Sequence, residues 1–304
     1  MRQPILIFAL VVAGGLSGFV APARADADGS LLNKGMAMFD SGKLLATGGV
    51  STVEGAGGGG LATWALITGY GTRDGVSVNA HYTYVGLSDY SLQSPGIAIG
   101  LFDRVELSYA WQAFDTQKTG GALGLGNGFT FHQNIVGAKV KLFGDAVYDQ
   151  DAWWPQLAAG LQYKSNDRGA VIAFVGGKSS DGVDFYLTGT RLFLAQSLLV
   201  DLTLRETKAN QFGILGFGGD KNGDYTTQFE GSAAYLISRK LAVGAEYRTK
   251  PNNLSIAREG NAFDVFAAYF FSKNISATLA YVDLGNIVLH DNQQGVYLSL
   301  QAGL

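Results

Sequence analysis

Along most of the chain, apolar residues occupy every second position. Val76, Val78, Ala80, Tyr82 and Tyr84 interleave with Ser77, Asn79, His81 and Thr83, and Val105, Leu107, Tyr109 and Trp111 interleave with Glu106, Ser108 and Gln112. The same alternation runs through Val136–Leu142, Leu241–Tyr247 and Val296–Leu304. Successive strand residues face opposite sides, so each segment has one apolar face and one polar or small face. The pattern predicts strands at 45–53, 61–70, 75–86, 93–101, 104–114, 129–143, 155–165, 183–193, 197–207, 226–237, 241–250, 262–271, 275–283 and 294–304. That makes about fourteen, and the same pattern accommodates twelve to sixteen.

Connections sort into two kinds that alternate along the chain. Short ones fall at 102–104, 194–197, 238–240 and 272–274, and long polar ones at 115–128, 165–182, 206–225, 250–261 and 283–294. Short turns at one end and long loops at the other are the layout of an antiparallel outer-membrane β-barrel. Hairpin register agrees. Folding about Arg239 sets Glu230 opposite Arg248 and Ser232 opposite Glu246, and folding about Lys273 sets Tyr269 opposite Ala277 and Val265 opposite Tyr281. Polar meets polar and apolar meets apolar, as cross-strand pairing requires.

Composition narrows the solvent. Of 304 residues, 47% are apolar and only 15% charged, against roughly 25% charged in ordinary soluble domains. A net charge of −3 without a basic block argues against nucleic acid as a partner. No cysteine is present, which excludes a disulfide framework, a Cys-ligated zinc and a thiol nucleophile. At the start, Arg2, the apolar run Ile5–Val12 and Ala23-Arg24-Ala25 form the layout of a secretory signal at residues 1–25. Residues 26–44 read as a periplasmic N-terminal segment and 45–304 as the barrel. Aromatics near the strand ends, Tyr82, Tyr84, Trp111, Tyr163, Tyr247 and Tyr281 on the long-loop side and Trp153 and Trp154 on the other, suit the two membrane interfaces.

The inward face carries Glu106, Lys139, Lys141, Asp184, Asp201, Arg205, Glu230, Glu246, Arg248 and Asp264. Mixed signs favour cross-strand pairing, such as Glu230 with Arg248 and Glu106 with Lys139 or Lys141, over a one-sign selectivity ring. His81 shares its face with Ser77 and Asn79, types used by outer-membrane phospholipases, but parity directs it into the lumen. Other fragments carry less. Gly55–Gly60 lacks the ending of a phosphate loop, and Gly177-Lys178-Ser179 lacks its leading glycine. Asp220–Asp224 opens like a calcium loop but has Gly231 where the closing glutamate belongs. No catalytic, cofactor or metal residue is assigned.

The segment Leu44–Leu61 (LLATGGVSTVEGAGGGGL), with Trp64–Ile67, Gly69–Thr72 and Gly100–Ala110 (GLFDRVELSYA), resembles a family of exported bacterial proteins catalogued as domain of unknown function 3034. The resemblance covers most of the mature chain and implies an envelope protein with a barrel fold. It brings no catalytic residue to carry over. The resulting expectation is a non-enzymatic barrel in the outer membrane of a Gram-negative bacterium, either a narrow diffusion channel or a structural envelope component. Its expected partners are membrane lipid, lipopolysaccharide and the barrel-assembly machinery. The alternatives are an outer-membrane enzyme acting on lipid or lipopolysaccharide and a secreted soluble β-sandwich binding module.

Overall fold

A computed structural model describes residues 42–256 and 258–304. The expected export signal and nearly all of the 26–44 segment lie outside the described residues. Two short strands, β1 (Val50–Ser51) and β2 (Gly57–Gly58), pair only with each other. Twelve more form a closed antiparallel barrel: β3 (Val76–Leu87), β4 (Ser91–Leu101), β5 (Val105–Asp115), β6 (Thr130–Phe143), β7 (Gln156–Asn166), β8 (Asp181–Phe193), β9 (Leu198–Thr207), β10 (Thr226–Ser238), β11 (Leu241–Arg248), β12 (Ala262–Phe270), β13 (Ile275–Asp283) and β14 (Gln294–Gly303). Each pairs with its sequence neighbour, and β14 closes the ring on β3. Closure leaves no free sheet edge, and it replaces the β-sandwich reading.

The registers anticipated from the hairpins are those observed. Glu230 faces Arg248, Ser232 faces Glu246, Tyr269 faces Ala277 and Val265 faces Tyr281. The Phe102–Asp103 turn has both residues at positive φ, 56° and 48°, the backbone twist that matches a tight hairpin. At the other end the loops are longer and carry two one-turn helices, α1 (Gln117–Ala122) and α2 (Gly169–Phe174).

Burial is inverted relative to a soluble protein. Leu107, Tyr109, Val136, Leu161, Leu187, Leu202, Val265, Leu279 and Leu298 are exposed on the outside. Their neighbours in sequence, among them Glu106, Ser108, Gln162, Thr188, Thr203, Asp264, Thr278 and Ser299, are buried inside. Apolar side chains outward and polar ones inward place the barrel wall against hydrocarbon. Tyr84, Trp111, Tyr163, Tyr247 and Tyr281 are exposed toward the long-loop end, and Tyr82 is half-buried beside them. Trp153 and Trp154 stand exposed in the 144–155 connection at the opposite end, with their rings edge to face.

The barrel has twelve strands because two expected strands do something else. Residues 45–53 and 61–70 do not join the wall, and every residue from Val50 to Gly71 is buried. Gly48, Gly49, Gly55 and the Gly57–Gly60 run have no side chains to present to lipid, and glycine weakens a strand. What glycine permits instead is close approach of backbone to other groups, and this segment uses that inside the lumen.

Candidate functional site

Residues 43–72 form a plug threaded into the lumen. Its hairpin is held by the β1–β2 pair and by turn bonds such as Thr52 N to Ala56 O at 2.8 Å and Val53 N to Gly60 O at 2.9 Å. Many other backbone groups of this segment are left for the barrel to satisfy, and a buried unpaired amide or carbonyl is costly.

The lumen supplies those partners from the charged residues of the inward face. Glu106 on β5 accepts Gly57 N at 2.9 Å and Thr68 N at 2.8 Å. Lys139 on β6 pairs with Glu106 at 3.0 Å and donates to the carbonyls of Gly57 and Trp64, each at 3.0 Å. Glu246 on β11 accepts the amides of Gly60 and Leu61, both at 2.6 Å, and Ala62 at 3.4 Å. Glu230 on β10 accepts Thr63 N at 2.9 Å. Neutral side chains complete the set. Thr203 donates to Thr63 O, Gln156 to Ala65 O, Ser77 to Thr68 O, and both Ser94 and Gln112 donate to Val53 O.

Glycine permits the close approach at the contact. A Cβ on Gly59 would stand 1.7 Å from a Glu246 carboxylate oxygen, and one on Gly57 would stand 2.8 Å from Glu106. On another side the plug is greasy: Val50 and Trp64 lie against Leu192, Leu199, Phe266 and Phe270, leaving a cavity of about 30 Å³.

The plug also contributes one charge. Glu54 is ion-paired to Lys164 on β7 and accepts Arg248 Nη1 at 2.8 Å. Burial alone would raise its carboxyl, but Arg248, Lys164 and Arg205 outweigh burial and hold it well below the ordinary carboxylate range. Around it, Lys164 pairs with Asp184 at 2.8 Å, Arg205 with Glu230, and Arg248 with Glu230 at 3.2 Å.

The expected inward residues therefore divide. Glu230 with Arg248 and Glu106 with Lys139 are close cross-strand pairs, as the register suggested. Arg205 and Asp184 also pair across neighbouring strands, and the others are used differently. Asp201 is bonded to Thr188, Thr190 and Thr203 rather than ion-paired among the described residues, and Asp264 lies directly across from Glu246, acid beside acid. Lys141 turns to Asp103 and Asp145 at the short-turn mouth, where Lys43 of the plug also meets Asp103 at 2.7 Å. Two members of this site were missed in sequence: Glu54, hidden in a glycine tract read as strand and loop, and Lys164, whose inward parity was legible.

A second closure sits at the long-loop end. Residues 210–218 fold inward, with Phe212 stacked on the Arg248 guanidinium at 4.4 Å and its carbonyl accepting Gln133 and Lys164, each at 3.2 Å. Gln211 and Phe212 both hold positive φ, 46° and 59°. Non-glycine residues there cost of order 1 kcal/mol each and persist where the surroundings dictate them. Lys250, paired with Glu259 at 3.1 Å and donating to Gln211 and the Leu284 carbonyl, ties this cap to two further loops.

The histidines are not assembled for catalysis. His81 is buried with neither ring nitrogen hydrogen-bonded among the described residues, while Ser77 bonds Thr68 O and Asn79 bonds Ser51 and Gln301. His132 stacks on Trp111 and bonds Asp167 at 2.9 Å at the outer rim. His290 joins Thr119 at 3.0 Å and Asp89 at 3.4 Å, but Thr119 is only 4% exposed and Asp89 is shared with Gln293, so the chain clasps α1 to the 284–293 loop. Asp220 is taken up by Ser255 rather than facing a cation. Among the described residues, no group of three or more metal-ligating side chains occurs.

Residues 47–301 match the family described as Protein of unknown function (DUF3034). The chain belongs to this family. No curated protein matches it significantly. Among solved structures it is similar to the KdgM porin (12% identity, TM-score 0.47, covering 74% of this chain and 98% of that one). It is likewise similar to an outer membrane channel from Pseudomonas putida F1 (14%, TM-score 0.47, 75% and 94%) and to outer membrane phospholipase A from Escherichia coli (11%, TM-score 0.42, 75% and 92%).

Proposed function

We propose that this member of the family is an outer-membrane channel closed at rest by its own residues 43–72, with no enzymatic role. The observation that carries the reading is how the lumen charges are used. A barrel stabilised only from within can fill itself with cross-paired side chains, and twelve strands enclose room for them. Here Glu106, Glu246, Glu230 and Lys139 are directed at backbone amides and carbonyls of a separate segment. Such groups hydrate readily once that segment leaves, so the emptied lumen is a water-filled path lined by charge. The short turns face the periplasm, where the plug's Lys43 end emerges, and the long loops and cap face outward.

Planar-bilayer recording tests this. Wild-type protein is expected to be silent at low voltage, and a variant lacking residues 46–70 is expected to show discrete conductance steps. A deletion variant that retains the gel shift of a folded barrel on heating, yet stays silent even when residues 210–218 are also removed, would identify the protein as a structural envelope component.

A further inference from the structure

The cations around Glu54 do not balance without it. Lys164, Arg205 and Arg248 project from alternate strands β7, β9 and β11 into one buried cluster, and among the described residues their ion-pair partners on the wall are Asp184 and Glu230. The third carboxylate comes from the plug. Its two oxygens are divided between Lys164 and Arg248, the geometry of a bound carboxylate ligand rather than of a cross-strand pair. Beside the cluster a buried donor, Gln162 Nε2, has no hydrogen-bond partner among the described residues, although Gln162 Oε1 already receives Arg205 at 2.8 Å. Directly above lies the cap, with Phe212 on Arg248.

We propose that Lys164, Arg205 and Arg248 form a carboxylate-binding site on the barrel wall, occupied at rest by the plug's own Glu54. Building on the channel reading, solutes bearing a carboxylate are then the class the opened lumen takes. The wall's surplus is a single positive charge, and Asp184 and Glu230 stand beside it. A monoanion fits this surplus, whereas a dianion adds repulsion that nothing compensates. Glu54 thus acts as a tethered competitor: solute and plug contend for the same two cations.

The test uses full-length protein and acetate. In Glu54→Ala, the truncation removes about the atoms that acetate restores. Its thermal unfolding midpoint in detergent is expected to fall below wild type and to recover saturably with acetate. Chloride and neutral acetamide at equal concentration should not restore it, nor should acetate rescue Glu54→Ala/Arg248→Met. Equal effects of acetate and chloride, or an equal acetate effect on wild type, would overturn the site. Should Glu54→Ala not fold, Ser51→Cys in the otherwise native chain provides the second readout. Acetate, but not acetamide, should speed thiol labelling of the plug, and equal labelling rates would refute the competition. Acetate rescue combined with a silent plug-deleted barrel would retain the site and reject the channel. A conducting plug-deleted barrel without acetate rescue would do the reverse.

Discussion

Glu246 is the carboxylate with most influence over the plug, and its removal gives the sharpest test of what holds the lumen closed. In Glu246→Ala, the amides of Gly60 and Leu61 lose acceptors at 2.6 Å, and Ala62 loses a weaker one at 3.4 Å. Hydrogen bonds to charged groups contribute about 1.5–3 kcal/mol each, so the two short ones amount to about 3–6 kcal/mol. By the usual conversion that shifts the docked-to-undocked ratio by about 10²–10⁴-fold. Asp264 faces Glu246 across the β11–β12 register and stands 3.2 Å from where a Gly60 Cβ would be. It is close enough to take over one donor, so the single variant belongs at the lower end of that range and Glu246→Ala/Asp264→Ala at the upper end. The chain has no cysteine, and Ser51 is fully buried in the plug, so Ser51→Cys is a clean reporter. Maleimide labelling in membranes is expected to accelerate in the order parent, Glu246→Ala, double variant, with bilayer conductance rising in parallel. The barrel itself should keep its heat-dependent gel shift, because its strand ladder is untouched. If the double variant labels as slowly as the parent and stays silent, the lumen carboxylates do not hold the plug and the reasoning fails.

Two further outcomes follow from individual residues. Because the Glu54 carboxyl is depressed by its cations, its contribution to docking is full above the ordinary glutamate value of 4.5 and declines as pH falls below it. Labelling of Ser51→Cys, taken relative to the unfolded protein at the same pH to cancel the loss of thiolate, should therefore be greater at about pH 3 than at about pH 6, and Glu54→Gln should abolish the difference; a flat ratio in the native chain would contradict the assignment. On the outer wall, Leu202 of β9 is 58% exposed, and Leu202→Arg places a charge against hydrocarbon at a penalty of about 2–4 kcal/mol near the midplane. Lower yield of folded barrel in outer-membrane fractions is expected, and unchanged assembly would argue that this face does not meet lipid.

Alternation alone determined much of this protein. Period-two parity assigned inside and outside for residues such as Glu106 and Leu107, and tight turns at Asp103, Arg239 and Lys273 then set register, because a slip of one residue would turn every side chain to the wrong solvent. Those are local properties, and they are legible one strand at a time. What only the tertiary structure decided is the fate of residues 45–70. Their apolar positions, Val50, Val53, Leu61, Trp64 and Leu66, are all buried within the barrel, with Val50 and Trp64 against Leu199 and Phe266, and nothing in their spacing announces that partner. A glycine tract records no partner, since its contribution is the absence of a side chain where a carboxylate from another strand must reach the backbone. The same limit hid the balance at Glu54. Counting charges along the chain gives mixed signs, but only closure of the barrel brings Lys164, Arg205 and Arg248 together and leaves them one carboxylate short, because each comes from a different strand of the closed ring.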